Sequence, residues 1–347
     1  METARPHDRH IALWLFVCCA MIFGMVVLGG LTRLTGSGLS MVEWDPIFGI
    51  IPPLSLTDWL EVFAKYQQSP EFIHINSRMG LAGFKSIYWF EYFHRLLGRT
   101  IGTVFLLPFL FFWWRGWLRR PMIPKFIAMF VLGGLQGLLG WYMVQSGLVD
   151  NPHVSQYRLT AHLLAAFAIY AFILWVGLDL WFQTAQHRSA SLVTPAALVT
   201  LLIAVTIGSG GLVAGLKAGH VYNTFPLMDG RLIPLGYAYL EPFWRNLFEN
   251  ATAVQFDHRL LAVTTFISVI MLRLAGHSRI PLSRARTGLN LLTVMVFIQA
   301  GMGIYTLLHN VPIAWASAHQ AGALVLLSLA IFTLHALSST QEIPQKQ

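Results

Sequence analysis

The sequence predicts an all-α membrane protein with eight transmembrane helices, arranged as two pseudo-twofold-related four-helix bundles, with both termini inside. The first observation is composition: of 347 residues, 56% are hydrophobic and 11% are charged, whereas soluble proteins carry about 25% charged residues. A soluble globular protein is therefore excluded. The other two observations are eight long apolar runs and an internal sequence repeat.

The apolar runs are each long enough to cross a bilayer, which takes roughly 20 residues of helix. They lie at about 11–31, 92–114, 126–144, 159–182, 193–216, 253–274, 289–308 and 313–337. All are continuously apolar, unlike the weak alternation over about ten residues that marks a membrane β-strand. Each run is therefore predicted to form a transmembrane helix.

The net charge of +8 is predicted to set topology rather than to bind nucleic acid. With the N-terminus inside, the inner side holds 12 Lys and Arg against 4 Asp and Glu, and the outer side holds 11 against 11. This asymmetry follows the positive-inside rule. The first apolar run lacks a signal-peptide cleavage site, and the ten residues before it are few for a mitochondrial transit peptide. We therefore expect a multi-pass protein of a bacterial plasma (inner) membrane.

The second half of the chain repeats the first at four places, in the same order. The matches are Gly29-Gly30-Leu31 with Gly210-Gly211-Leu212, His94-Arg95-Leu96-Leu97 with His258-Arg259-Leu260-Leu261, Gln136, Gly140 and Tyr142 with Gln299, Gly303 and Tyr305, and Ala161-His162 with Ala318-His319. Because each copy has an even number of spans, both keep the same orientation, and the pseudo-twofold axis runs along the membrane normal. The repeat predicts one bundle over residues 1–190, with a long outer loop, and another over residues 191–347.

Four histidines are predicted to share one depth near the outer face, in the first turns of spans two, four, six and eight: His94, His162, His258 and His319. A single histidine at such a place is more often a structural hydrogen bonder. Here, however, His94 can face His162, and His258 can face His319. Two facing imidazoles suit the axial positions of a haem iron, whereas zinc takes four ligands, or three and a water. The positive end of each helix dipole would keep the ring nitrogens free for metal.

Three arginines lie beside these histidines. Arg95 and Arg259 each follow a histidine directly, and Arg99 lies one turn beyond Arg95. Haem propionates would give these guanidiniums bidentate carboxylate partners. The alternative is that the arginines simply snorkel to the membrane boundary.

The two halves differ at the position three residues before the first histidine of each. It holds Glu91 in the first half and Gln255 in the second. An i, i+3 spacing places Glu91 on the same helix face as His94, so its carboxyl is expected to point toward whatever that histidine binds. The alternative is an ion pair with Arg95 at i+4. A carboxylate at this depth indicates function, so the first half is predicted to perform chemistry and the second to hold a permanent cofactor.

The first outer loops of the two halves, roughly residues 32–90 and 217–252, are long. Loops of this length are usually functional or disordered, and aromatic content argues against disorder. Both a lid over each site and an interfacial anchor remain open. The aromatic residues of the first loop include Trp44, Phe48, Trp59, Tyr66, Phe72 and Trp89.

Several motifs resemble those of the haem A synthases of bacteria and mitochondria, and the resemblance covers nearly the whole chain. The motifs are Thr35-Gly36-Ser37-Gly38-Leu39-Ser40 with Trp44, Glu91-Tyr92-Phe93-His94-Arg95 with Gly98-Arg99, Val221-Tyr222-Asn223-Thr224-Phe225-Pro226-Leu227-Met228-Asp229-Gly230, and Asp257-His258-Arg259. Some members carry a cysteine pair in the first outer loop. The two cysteines here, Cys18 and Cys19, lie in the first span, so the chain resembles the cysteine-free, mitochondrial and alphaproteobacterial group.

The resemblance implies that the protein oxidises the C8 methyl group of haem O to a formyl group, giving haem A for terminal cytochrome oxidases. It further implies that His258 and His319 ligate a haem b in the second half. In the first half, His94 and His162 would face the substrate haem O, and Glu91 would be the catalytic residue.

Two other functions remain open from the residues alone. A di-haem b cytochrome that takes electrons from quinol would explain the four histidines but not the difference between Glu91 and Gln255. A carrier would bind haem O and return it unmodified. The expected partners are haem O and haem A, an electron donor that the sequence does not identify, and, as candidates, a haem O synthase and oxidase assembly factors.

Overall fold

The computed structural model describes residues 7–43, 49–149, 152–182, 190–277, 280 and 283–338. Trp44, Pro46 and Phe48 of the first loop lie outside these ranges. The described residues form eleven α-helices and three short 3₁₀ turns, and within them the extended pairing is one isolated bridge between Met228 and Arg231. The helices are α1 Asp8–Leu34, α2 Leu56–Tyr66, α3 Pro70–His74, α4 Leu81–Trp114, α5 Ile123–Gln145, α6 Gln156–Trp181, α7 Ala190–Gly215, α8 Asn246–Glu249, α9 Ala251–His277, α10 Arg284–Leu308 and α11 Ile313–Ser338.

Eight of these helices are long and apolar enough to cross a membrane, namely α1, α4, α5, α6, α7, α9, α10 and α11. The prediction of an all-helical, multi-pass protein is confirmed. Continuous apolar sequence forms helices because a helix satisfies its own backbone hydrogen bonds, which the lipid core cannot do. Pro108 and Pro195 lie within α4 and α7, respectively; membrane helices tolerate proline because neighbouring helices and side chains satisfy the backbone groups that it leaves free.

The long helices contact one another in two rings of four. In the first half, α1 contacts α4 and α6, and α5 contacts the same two helices. In the second half, α7 contacts α9 and α11, and α10 contacts those two. The halves meet where α1 and α6 pack against α11, and α6 packs against α7. One buried apolar cluster runs through both halves, and it includes the free cysteines Cys18 and Cys19.

The first loop folds into a small domain of its own, which we call the first cap (residues 35–43 and 49–80). Ser55 begins α2 with a capping box, in which its side chain accepts a hydrogen bond from the backbone N–H of Asp58. The apolar face of α2 packs against α4 in a second cluster of buried aromatic residues: Trp59, Phe63, Tyr66, Phe84, Tyr88 and Tyr92. This packing extends α4 back to Leu81, well before the start of the apolar run at 92.

Candidate functional site

The four predicted histidines lie at one level of the helix bundle. Each is followed by a nearly equal length of helix, which ends at Trp114 in α4, Trp181 in α6, His277 in α9 and Ser338 in α11. At a rise of about 1.5 Å per residue, each histidine is about 30 Å from that end, which is the thickness of the hydrocarbon core. All four side chains are half-buried.

The expectation that these histidines occupy the first turns of their helices is wrong for α4 and only approximate elsewhere. His94 lies more than three turns after the start of α4 at Leu81, whereas His162, His258 and His319 lie about two turns after the starts of their helices. The favourable effect of a helix end is confined to its first turn. The helix dipole therefore does not explain the chemistry expected of His94.

Each histidine ring packs against a glycine of a neighbouring helix. A methyl group at Gly29 would lie 3.0 Å from Nε2 of His94, and at Gly140 it would lie 3.0 Å from Cε1 of His162. In the second half, a methyl group at Gly210 would lie 3.2 Å from Cε1 of His258. At Gly303 it would lie 2.8 Å from Cε1 of His319. The glycines and histidines that the sequence repeat matches thus make matching contacts, and a side chain at any of these glycines would crowd a ring.

The structure also brings the predicted histidine partners together. His94 lies within electrostatic range of His162, and His258 lies within range of His319. The amide nitrogen of Gln136 lies 3.1 Å from Nδ1 of His162 and donates to its backbone carbonyl at 2.8 Å. The amide nitrogen of Gln299 donates to the carbonyl of His319 at 2.9 Å. The matched glutamines therefore tie the matched helices together beside the rings.

The Glu91 carboxylate is buried, with 3% of the residue exposed. Its Oε2 accepts hydrogen bonds from the hydroxyl of Ser40 at 2.7 Å and the backbone N–H of Met41 at 2.8 Å. Its Oε1 pairs with Nη2 of Arg95 at 2.6 Å and also accepts from Nε of that residue. The i, i+4 ion pair weighed from the sequence is thus present, and the described partners of the carboxylate belong to the first cap and Arg95 rather than to His94.

Arg95 and Arg259 hold the two loops in the same way. Arg95 donates to the carbonyls of Met41 at 2.7 Å and Glu43 at 2.8 Å. Arg259 donates to the carbonyls of Tyr222 and Thr224, each at 2.8 Å. In the sequence, Tyr222 follows Met41, and Thr224 follows Glu43, by the same number of residues that separates the second glycine pair from the first. The repeat therefore extends into the loops, where backbone carbonyls rather than side chains make the matching contacts.

Gln255, the residue that matches Glu91 in the second half, uses its side chain differently. Gln255, 2% exposed, donates through Nε2 to the carbonyl of Tyr222 at 2.9 Å. Among the described residues its Oε1 has no hydrogen-bond partner. Arg99, the third propionate candidate, is half-buried on α4 one turn beyond Arg95. The roles expected of the three arginines toward propionates stay predictions.

The sequence did not point to a buried acid in the first cap. Glu71 is 6% exposed and accepts a hydrogen bond from the hydroxyl of the fully buried Tyr66 at 3.0 Å. Burial raises the pKa of Glu71 to about 7, although the bond from Tyr66 acts in the opposite direction. Asn76 donates to the same hydroxyl at 2.8 Å. The sequence gives no sign that a charged residue in a long loop is buried. The burial of this acid arises from the tertiary contact between α2 and α3.

The residues at both histidine pairs fit a haem. Each ring occupies the space that a glycine of the neighbouring helix leaves open, which fixes where the ring lies. Buried polar atoms remain without a described partner next to the second pair, at Oε1 of Gln299 and Nδ1 of His319. Each pair would supply two imidazole donors, as the axial positions of a haem iron require.

Comparison with known proteins agrees with these features. A family model described as "Cytochrome oxidase assembly protein" matches residues 12–331. A protein named "Heme A synthase" from Nitrosospira multiformis is 53% identical over 335 residues, which cover 95% of this chain and 94% of that protein. Proteins of the same name from Nitrosomonas eutropha and Paramagnetospirillum magneticum are 50% and 49% identical over at least 94% of both chains in each comparison. The chain therefore belongs to the haem A synthase family of cytochrome oxidase assembly proteins.

Proposed function

We propose that the protein is a haem A synthase, which oxidises the C8 methyl group of haem O to a formyl group. The observation that carries this proposal is the match to proteins named "Heme A synthase" over nearly the full length of both chains, at 49% to 53% identity. These names do not favour the di-haem cytochrome or the haem carrier.

The proposed architecture is two four-helix bundles, residues 1–190 and 191–347, related by a pseudo-twofold axis along the membrane normal, with both termini inside. Two sets of contacts support it. Each half closes a ring of four long helices, and Arg95 and Arg259 bind loop carbonyls at matched positions. The membrane would be the bacterial plasma membrane, with the histidines toward its outer face, since the excess of basic residues lies on the opposite side.

In this architecture His258 and His319 would hold a haem b, and His94 and His162 would face the substrate haem O. When bound, haem b supplies a one-electron redox centre. Arg95, Arg99 and Arg259 are the candidate partners of the propionates. For Arg95 and Arg259 this role would add to the loop carbonyls that they already bind.

The reaction requires a group that handles protons near the substrate. Formally, a methyl group and water give a formyl group, four protons and four electrons, so the reaction needs an electron acceptor and protons must leave the site. Glu91 is the proposed proton acceptor, or the residue that orients the water. Its neighbour Arg95 is shared between the carboxylate and the carbonyl of Met41. The guanidinium therefore keeps a hydrogen-bond acceptor if the carboxylate takes up a proton.

Analysis of extracted haems tests the proposed function. The full-length protein is expressed with a haem O synthase in a host that lacks its own haem A synthase, and the haems are separated by chromatography and identified by mass. We expect haem A in cells with the protein, and only haem O and haem B in cells without it. Recovery of only haem O and haem B in both would overturn the proposal. The electron donor, and any contact with the haem O synthase or with oxidase assembly factors, would be sought by affinity purification from the same membranes.

A further inference from the structure

A hydroxyl group lies against the ring of His258. Oγ of Ser209, on α7, is 2.8 Å from Nδ1 of His258 on α9. The same hydroxyl is 2.8 Å from the backbone carbonyl of Thr206, three residues earlier on its own helix.

The position of the imidazole proton follows from the bond between Ser209 and Thr206. The carbonyl of Thr206 is an acceptor only, and the hydroxyl of Ser209 has one hydrogen to give. The hydroxyl gives that hydrogen to the carbonyl, so its oxygen accepts from Nδ1–H of His258. This arrangement places hydrogen on Nδ1 and leaves the lone pair of Nε2 available for a metal.

The first half lacks this arrangement. Residue 28 corresponds to residue 209 at the offset that relates Gly29 to Gly210, and it is Leu28. A leucine side chain can neither donate nor accept a hydrogen bond. Among the described residues, no hydrogen bond to the ring nitrogens of His94 takes its place. The two halves thus share this histidine and the glycine beside it but not the hydroxyl, and in the first pair the described contact to a ring nitrogen is the one from Gln136 to His162.

A hydrogen bond to the outer nitrogen of a metal-bound histidine fixes the ring and raises its basicity, and its removal typically costs 10- to 100-fold in metal affinity. A haem A synthase has opposite needs at its two sites. A resident haem must stay, whereas a substrate haem must enter and its product must leave.

We propose that Ser209 is a positioning residue that holds His258 in the Nδ1–H tautomer, so that the second pair retains its haem, while Leu28 leaves the first pair able to exchange haem. This inference rests on the proposed function for the assignment of the two sites. The orientation of His258 by Ser209 concerns the second pair alone.

The test measures haem loss and reduction potential in the purified full-length protein carrying its resident haem. Haem loss is followed as transfer to an excess of apomyoglobin. We expect Ser209→Ala to lose haem on the order of 10-fold faster or more, with a higher reduction potential, because a less basic ligand stabilises the ferric state less. Ser209→Thr, which keeps the hydroxyl, should stay close to the unmodified protein. Thr200→Ala is the matched control, since the Thr200 hydroxyl bonds only its own helix, at the carbonyl of Ala196.

A Ser209→Ala variant that matches Thr200→Ala in both rate and potential would overturn the proposal. If Ser209→Ala is recovered without haem, Ser209→Thr provides the second measurement. Its hydroxyl should preserve haem retention, and a Ser209→Thr variant that is also recovered without haem would contradict the inference. The proposed function is judged separately by haem A formation in the unmodified protein, so either idea can fail while the other stands.

Discussion

The contact between Gly303 and His319 allows a sharp test of the second histidine pair. Replacing Gly303 by alanine puts a methyl group 2.8 Å from Cε1 of His319 and 3.4 Å from each ring nitrogen. Carbon atoms pack best at about 3.5–4.0 Å, so the ring or its helix must retreat by at least about 0.7 Å. A metal-binding group must be held within roughly 0.5 Å of its productive position. The substitution should therefore displace the ligand beyond that tolerance.

The expected magnitude follows from the cost of overpacking. Forcing a methyl group into a packed site costs about 1–3 kcal/mol, which corresponds to roughly 5- to 150-fold weaker haem binding if the cost falls on the ligand. The helix itself should not suffer, since alanine is a better helix former than glycine by about 1 kcal/mol. Loss of haem with an intact fold is therefore the expected phenotype.

The assay is the ratio of low-spin haem absorbance to protein in purified samples, with circular dichroism to confirm helix content. Gly301→Ala is the matched control, because Gly301 lies on the same helix, is exposed, and would place its methyl group more than 4 Å from its neighbours. We expect Gly301→Ala to keep its haem and Gly303→Ala to lose it. Equal haem content in the two variants would refute the idea that the glycine makes room for a ligating ring.

The remaining predictions concern three other groups. Glu91→Gln should lower haem A formation by about 100-fold or more with the resident haem retained, because the second half already carries Gln255 at the matched place; normal haem A output would contradict the catalytic assignment. His258→Ala should abolish the low-spin haem spectrum, and an unchanged spectrum would exclude that residue as a ligand. The first cap should become less stable as pH rises through about 7, since burial raises the pKa of Glu71 to about 7 and favours its neutral form. That stabilisation, roughly 3 kcal/mol by linkage, is fully present below about pH 4.5; the protection factors of the α2 amides, which correct for base-catalysed intrinsic exchange, should be lower at pH 8 than at pH 6, and Glu71→Gln should remove that difference.

Much of the fold could be predicted because it depends on local properties of the sequence. Each membrane helix shows as a long apolar run, and the repeat of His94 at His258 and of His162 at His319 identified the pairs. The start of α4 could not be predicted in this way. Residues 81–91 are helical because α2 packs its aromatic face on them, and that contact joins segments that α3 and its flanking turns separate along the chain.

The contacts around Glu91 also could not be predicted from the sequence. Two of its four hydrogen bonds come from Ser40 and the backbone of Met41, which a turn with a left-handed residue at Gly36 (φ 65°) directs back toward α4. A backbone donor carries no signature in the identity of its side chain. The glycines beside the histidines were visible in the sequence, but small residues occur in every tightly packed membrane bundle. Only the tertiary structure distinguishes a glycine that lies against a ring from one that lets two helices approach.

In the proposed architecture the two halves are one scaffold adapted to two tasks by a few side chains. Both keep an arginine that binds the carbonyls of its loop, and both keep a histidine packed against a glycine. They differ in a carboxylate at Glu91 against an amide at Gln255, and in an apolar side chain at Leu28 against the hydroxyl of Ser209. A site that transforms its ligand needs a group that can take up protons and a ligand contact that can be broken. A site that keeps its cofactor needs neither, and it gains from a fixed ring. If this reasoning holds, Glu91→Gln combined with Ser209→Ala should form no haem A and should also lose its resident haem faster, whereas Glu91→Gln alone should keep that haem.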